Sequence, residues 1–141
     1  MIQTQRLVVY GNPRGKGRPR FAYGSGHTYT DAATTEYEGR IKREFKCENC
    51  FKFEASPLKV EIFAYFPIPT SFSRKKKTDL YGAPHTHKPD GDNIAKICLD
   101  ALSGLMYPDD RYITELYVEK RYCLDEEDRP RVEIVVTGGE E

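Results

Sequence analysis

The first 30 residues of the sequence contain no aspartate or glutamate, although the 141-residue chain has 22 of them and 22 lysines and arginines. A purely basic segment follows at residues 74–77, and acidic residues dominate after residue 108. The formal net charge of zero therefore conceals two basic segments. Each of them either faces a polyanion or forms a solvated loop, and charge alone leaves both interpretations open.

Long apolar runs are also absent. No stretch approaches the roughly 20 residues that cross a bilayer, and polar residues at positions 3–6 interrupt any leader-like run near Met1. We therefore expect a cytoplasmic protein that does not enter the membrane and whose cysteines are reduced. Cys47 and Cys50 have the spacing of half a zinc site, and the alternative is a pair of reduced thiols at a helix end.

The length fits a single domain, residues 1–141, that can form a hydrophobic core without disulfides. Alternating or helical spacing of the apolar residues predicts the main elements. Strands are predicted at residues 7–10, 58–66, 113–122 and 132–136, a short hairpin at 21–30, and helices at about 31–46 and 93–102. Residues 67–89 are expected to form a long connection that includes one or two helical turns.

This order of elements predicts an α+β fold. We expect a mixed or antiparallel sheet of about four strands, with the two main helices packed on one face. The last two strands are expected to be antiparallel neighbours, joined by the acidic turn at residues 125–128. Glycines and prolines exclude a helix or central strand at residues 11–20, so this segment is a loop with four cations, hereafter the basic loop.

The most distinctive polar pattern begins where the long connection enters the second main helix. Asp92 is expected at the start of this helix, and Lys96 and Asp100 follow at intervals of four residues, so their side chains share one face. Ile94 and Ile97 lie on the opposite face, which is expected to be buried. The polar side of the helix therefore faces either a cleft or the solvent.

Further carboxylates flank this helix. Asp90 precedes it, and the pair Asp109 and Asp110 follows in a segment that can return alongside it. Converging carboxylates require a counter-ion, and Mg²⁺ with a nearby lysine is suited to phosphodiester hydrolysis. Residue type and spacing leave a plainer interpretation open, in which Asp92 only caps the helix, Lys96 only forms ion pairs, and the acidic pair only forms a turn.

A family resemblance bears on this choice. Residues 88–104 read KPDGDNIAKICLDALSG, and the acidic pair Asp109 and Asp110 follows. This pattern resembles the signature of the RusA family of Holliday-junction resolvases. The basic loop resembles the amino-terminal segment of the phage and prophage branch of that family.

The resemblance implies a small Mg²⁺-dependent endodeoxyribonuclease, with Mn²⁺ as an alternative metal. Such an enzyme acts as a homodimer and resolves four-way DNA junctions by cutting two opposed strands, in DNA recombination and repair. The site residues that the resemblance implies are the metal-binding, catalytic carboxylates Asp90, Asp92 and Asp110 and the catalytic lysine Lys96. Two alternatives are a branched-DNA-binding protein that does not cut and a nuclease that is less selective for DNA structure.

The resemblance also bears on three other positions in or near the signature. By similarity, Asp109 replaces Asp110 as a ligand if the register slips by one residue, and Asp100 is a supporting aspartate that holds Lys96. Gly91 departs from the larger apolar residue that is common between the two aspartates, and a glycine loosens the backbone there.

Contacts with DNA phosphates are expected from the basic segments and from the lysine that begins the signature. These expected contacts are Arg14, Lys16, Arg18, Arg20, Lys75, Lys76, Lys77 and Lys88. His85 and His87 lie in a polar loop next to the signature, and we interpret them as solvated side chains.

Overall fold

Six strands and three α-helices form the part of the chain that the computed structural model describes, which comprises residues 1–17, 20–21, 24, 26 and 28–139. The strands are β1 (Ile2–Tyr10), β2 (Arg20–Phe21), β3 (Thr28–Tyr29), β4 (Leu58–Phe66), β5 (Ile113–Tyr122) and β6 (Arg131–Gly139). The helices are α1 (Ala32–Cys47), α2 (Arg74–Leu80) and α3 (Gly91–Leu102), and a 3₁₀ turn spans Asp110–Tyr112. None of these helices combines the length and apolar character needed to cross a membrane.

Four of the strands form a mixed sheet in the order β1-β6-β4-β5. β6 is antiparallel to both β1 and β4, whereas β5 is parallel to β4. β2 and β3 pair as the small hairpin expected near residues 21–30. The predicted α+β class and the predicted number of strands in the main sheet are confirmed.

The expected pairing of the last two strands is wrong, because β4 lies between β5 and β6. The connection from β4 to β5 contains α2 and α3, and a connection of this length permits the parallel crossover. β6 has an apolar row of Val132, Ile134 and Val136, all fully buried, which suits an inner strand. Most residues of β5 are exposed or half-buried, which suits its position at an edge of the sheet.

The hydrophobic core lies between one face of this sheet and the helices α1 and α3. The Asp31 side chain caps α1 by accepting a hydrogen bond from the Thr34 N–H at 2.8 Å, and α1 buries Tyr37, Ile41 and Phe45 at four-residue spacing. The predicted apolar face of α3 is buried as expected. Its buried residues are Ile94, Ala95, Ile97, Cys98, Ala101 and Leu102.

A buried tyrosine fixes the turn between α3 and the acidic pair. The Tyr107 side chain is fully buried, and its hydroxyl donates a hydrogen bond to the Leu99 carbonyl at 2.8 Å. The Gly104 N–H donates to the Tyr107 carbonyl, also at 2.8 Å, and Gly104 adopts the left-handed conformation (φ +80°) that favours glycine. This turn directs the chain back along α3 and positions Asp109 and Asp110.

Replacing Tyr107 with phenylalanine should lower the free energy of unfolding by about 0.5–1.5 kcal/mol, because a buried hydrogen bond is lost. Urea unfolding followed by circular dichroism would measure this change. Tyr112→Phe is the matched control. Among the described residues its hydroxyl accepts a hydrogen bond from the exposed Arg111 side chain alone, so the substitution should change stability by less than about 0.5 kcal/mol. Equal effects of the two substitutions would contradict this account of the turn.

Candidate active site

The start of α3 presents two carboxylates with no side-chain partner within the described chain. Asp90 is the N-cap residue in an extended conformation, and its carbonyl accepts the Ile94 N–H at 3.1 Å, but its carboxylate forms no capping hydrogen bond. Asp92 is exposed in the first helical turn. Neither carboxylate is occupied by a contact within the described chain, so both are available to a ligand.

A lysine on β5 supports the chain segment that enters α3. The Lys120 ammonium donates a hydrogen bond to the His87 carbonyl at 2.6 Å. A Cβ placed on Gly91 would lie 3.6 Å from Val118 and 4.0 Å from the Lys120 side chain, so α3 begins directly above β5. Sequence reasoning missed Lys120, because its position is an ordinary polar one on an amphipathic strand.

His85 is packed rather than solvated, so the interpretation made from sequence is wrong for this residue. Its ring stacks on Phe66 with centroids 3.7 Å apart and meets Tyr122 edge-on at 5.0 Å. The backbone N–H of His85 donates a hydrogen bond to the Lys120 carbonyl at 3.1 Å, which aligns the segment with β5. Burial, followed by the nearby charge of Lys120 and by His87, lowers the pKa of His85 to about 4. His87 is exposed, as expected.

The two carboxylates of the acidic pair beyond α3 interact with each other. Asp109 caps the 3₁₀ turn by accepting the Arg111 N–H at 3.0 Å, and this hydrogen bond lowers its pKa. The pKa of Asp110 is raised, first because its protonated carboxyl donates a hydrogen bond to Asp109, then by reduced contact with water and by the charges of Asp109 and Asp100. The charge of Lys96 opposes this rise. Asp110 therefore lies in a negative potential that a cation would relieve.

A chain of ion pairs links the basic loop to the polar face of α3. The Lys16 ammonium lies 3.1 Å from Asp100 Oδ2 and 3.2 Å from Glu38 Oε2 on α1, and its side chain is only 17% exposed. Lys96 is 62% exposed and lies 3.9 Å from the same Asp100 oxygen. Asp100 is thus held mainly by Lys16, while Lys96 is held loosely and remains accessible.

The structure brings the predicted site residues together only in part. Asp110 interacts electrostatically with Lys96 and Asp100, in the middle of α3. Within the described residues, however, no three His, Cys, Asp or Glu side chains are grouped to hold a metal ion, and this includes the set Asp90, Asp92 and Asp110. Asp90, Asp92 and Asp110 are thus separate exposed groups rather than a preformed cage.

The expected DNA contacts differ in their accessibility. Arg14 and Lys88 are exposed, as are Lys75 and Lys76 on α2, and Lys77 is half-buried. Lys76 lies over the Phe72 ring, 3.8 Å from its centroid. Arg18 and the side chain of Arg20 lie outside the described residues.

Cys47 and Cys50, which have the spacing of half a zinc site, have no further potential ligands beside them in the described part of the chain. Cys47 is exposed and Cys50 is half-buried, and neither belongs to a group of three potential ligands there. Cys98 and Cys123 are buried elsewhere as free thiols. None of the four cysteines forms a disulfide within the described residues.

Comparison with known proteins decides the family. A family model described as "Endodeoxyribonuclease RusA" matches residues 10–137. The chain belongs to the RusA family. RusA membership makes it an endodeoxyribonuclease, a hydrolase of DNA phosphodiester bonds. The chain is also similar to "Uncharacterized protein YqaN" of Bacillus subtilis (strain 168), with 31% identity over 140 residues, covering 93% of this chain and 94% of that protein.

The RusA match spans the acidic residues around α3, the basic loop and α2. The resemblance inferred from the signature at residues 88–104 is therefore confirmed at the level of the family. The roles of individual residues remain predictions.

Substituting His85 with phenylalanine should make stability less sensitive to acid. The unfolded chain protonates this histidine near its ordinary pKa of 6.5, whereas the folded chain does so only near 4. The free energy of unfolding therefore falls as the pH drops from about 6.5 to about 4. A phenylalanine can keep the stacking on Phe66 but binds no proton.

Urea unfolding at pH 7, 5.5 and 4 would measure this difference, and a smaller loss of stability is expected for His85→Phe than for the wild type. His87→Phe is the control, because His87 is exposed, and it should follow the wild type. The same pH dependence in all three proteins would contradict the role given to His85.

Proposed function

We propose that this protein is a Mg²⁺-dependent endonuclease that resolves four-way (Holliday) DNA junctions by paired phosphodiester hydrolysis, in DNA recombination and repair. The observation that carries the proposal is the pair of exposed carboxylates of Asp90 and Asp92 at the start of α3, which have no side-chain partner within the described chain. Lys96 follows Asp92 by one helical turn. This arrangement occurs inside the segment that matches the RusA family.

Asp90, Asp92 and Asp110 would hold the metal ion. Their donor chemistry fits Mg²⁺, which prefers a few carboxylate oxygens and retains several waters. Asp110 suits this role better than Asp109, because the Asp109 carboxylate already accepts the Arg111 N–H, while the negative potential at Asp110 favours a cation. When bound, Mg²⁺ or Mn²⁺ would polarise a phosphate oxygen and lower the pKa of a water molecule.

Lys96 would contact the phosphate at which the strand is cut. Its ammonium is accessible, and its nearest carboxylate is 3.9 Å away, so little intramolecular interaction opposes its movement toward a phosphate. A lysine in this position stabilises negative charge that develops in the transition state. Asp100 would orient Lys96, while Lys16 balances most of the Asp100 charge.

A homodimer would supply one active site for each of the two strands to be cut. β5 is an edge strand of the main sheet, and Leu116 and Tyr117 on it are each 49% exposed. Residues 83–85 cover only its far end, through hydrogen bonds to Lys120 and Tyr122. An exposed edge with apolar side chains is a common site of association between chains, and this supports a dimer.

Asp92→Asn should retain junction binding but lower the rate of cleavage by at least about 100-fold, because it removes a charged metal ligand and leaves the basic segments intact. Cleavage of a labelled four-way junction in Mg²⁺, together with gel-shift binding, would measure both properties. Asp79→Asn is the control, since Asp79 is an exposed aspartate on α2 and should have no effect.

Other outcomes of that experiment favour the alternatives. Junction binding by the wild type with no incision would favour a branched-DNA-binding protein. Equal cutting of a linear duplex would favour a less selective nuclease. Joint loss of binding and cleavage in Asp92→Asn would assign Asp92 a role in folding instead.

The salt dependence of junction binding should separate DNA contacts from structural cations. Each phosphate contact contributes about 0.9 to the log–log slope, so alanine at Lys75, Lys76 and Lys77 together should reduce the slope by roughly 1–3. Lys16→Met should leave the slope nearly unchanged, because its ammonium is already bound to Glu38 and Asp100. An unchanged slope in the triple variant would remove α2 from the DNA-binding surface.

A further inference from the structure

We propose that a groove beside Asp90 holds one unpaired nucleotide of the DNA strand that is cut, next to the scissile phosphate. The groove lies between the basic loop and the segment that begins α3, and its volume is about 760 Å³. Its lining includes Arg14, Gly15, Lys88, Pro89, Asp90 and Asn93. The inference rests on the proposed function, since it is Asp90 as a metal ligand that locates the scissile phosphate.

The walls of the groove are fixed to each other by close contacts. The Lys16 N–H donates a hydrogen bond to the Asn93 carbonyl at 2.9 Å. Gly15 packs so tightly that a Cβ on it would lie 2.9 Å from Pro89 Cβ and 3.0 Å from Asn93 Cβ. The ion pairs of Lys16 with Asp100 and Glu38 anchor the same loop. The groove is therefore formed before DNA binds, which lowers the entropic cost of binding.

The polar groups that line the groove are available to a ligand. Arg14 and Lys88 come from its two walls, both are exposed, and neither has a hydrogen bond or ion pair within the described residues. The Asn93 side-chain amide likewise has no hydrogen-bond partner in that part of the chain. Two cations suit the phosphates on either side of a nucleotide, and an amide can both donate to and accept from a base edge.

The size of the groove favours an unpaired nucleotide over a base pair. Pockets of about 300–1,000 Å³ accept small-molecule-sized ligands, and a nucleotide is of this class, whereas a duplex is far larger. Moving a base out of the duplex costs a few kcal/mol, and the cost is least where the base is already unpaired. At a strand exchange point the duplex is interrupted, so a base pair there opens more easily than one inside a continuous duplex. The groove would thus select branched DNA over linear duplex.

Fluorescence of 2-aminopurine would test the groove without requiring cleavage. The probe would replace, one at a time, the bases flanking the exchange point of a four-way junction, and binding would be measured in EDTA. The adenine analogue brightens when it is unstacked, and the residues named above as lining the groove include no aromatic side chain to quench it. We expect a rise of at least about twofold at one position, as for a base moved out of its stack, and no rise in a linear duplex.

Two variants locate the signal, with one matched control. Gly15→Ala should reduce the rise by at least half, because the added methyl group displaces the loop from Pro89 and Asn93. Asn93→Ala should also reduce it and should weaken junction binding by about tenfold, the equivalent of one lost polar contact to a base. Gly39→Ala is the control, because a Cβ on this glycine of α1 would meet nothing within 4 Å, and it should behave as the wild type.

The outcomes separate this inference from the proposed function. Junction cleavage in Mg²⁺ with no brightening at any position would overturn the groove but not the nuclease. Brightening with no cleavage would support the groove and contradict the nuclease. Asn93→Ala keeps the test valid even if Gly15→Ala fails to fold. Full brightening in folded Asn93→Ala protein would place the nucleotide elsewhere and overturn the inference.

Discussion

Burial of the apolar face of α3 between α1 and the sheet is the constraint on which the rest of the site depends. Ile94 and Ile97 are completely buried, so rotation of the helix would expose them to water. Each such side chain contributes roughly 1.5–3 kcal/mol through burial. With this face fixed, geometry directs Asp92, Lys96 and Asp100 away from the core. The polar face of α3 is therefore held in place by packing rather than by the polar residues themselves.

Lys16 holds the basic loop in place against α3 and α1. Its ammonium is shared between Asp100 on α3 and Glu38 on α1, so three segments that are distant in sequence meet at one charge. The cations of the loop therefore have different roles. Lys16 stabilises the structure, whereas Arg14 remains accessible to a ligand. A basic loop that is docked in this way can present phosphate contacts beside Asp90 without being ordered by DNA.

The sheet determines how the acidic residues approach one another. Because β4 and β5 are parallel, the chain must cross over between them, and this crossover contains both α3 and the acidic pair that follows it. Asp110 consequently returns along α3 and interacts with Lys96 and Asp100. Carboxylates repel one another on close approach, and a bound cation would offset this repulsion.

The sequence by itself determined the α+β class, the two main helices with their buried faces, and the family, because periodicity and a dense local signature are properties of neighbouring residues. It could not determine that β5 lies beside β4, since strand order depends on competition among all the strands. It also gave no signal for Lys120, for the stacking of His85, or for the structural role of Lys16. Those features arise from contacts between residues far apart in the chain, and only tertiary packing decides which such residues meet.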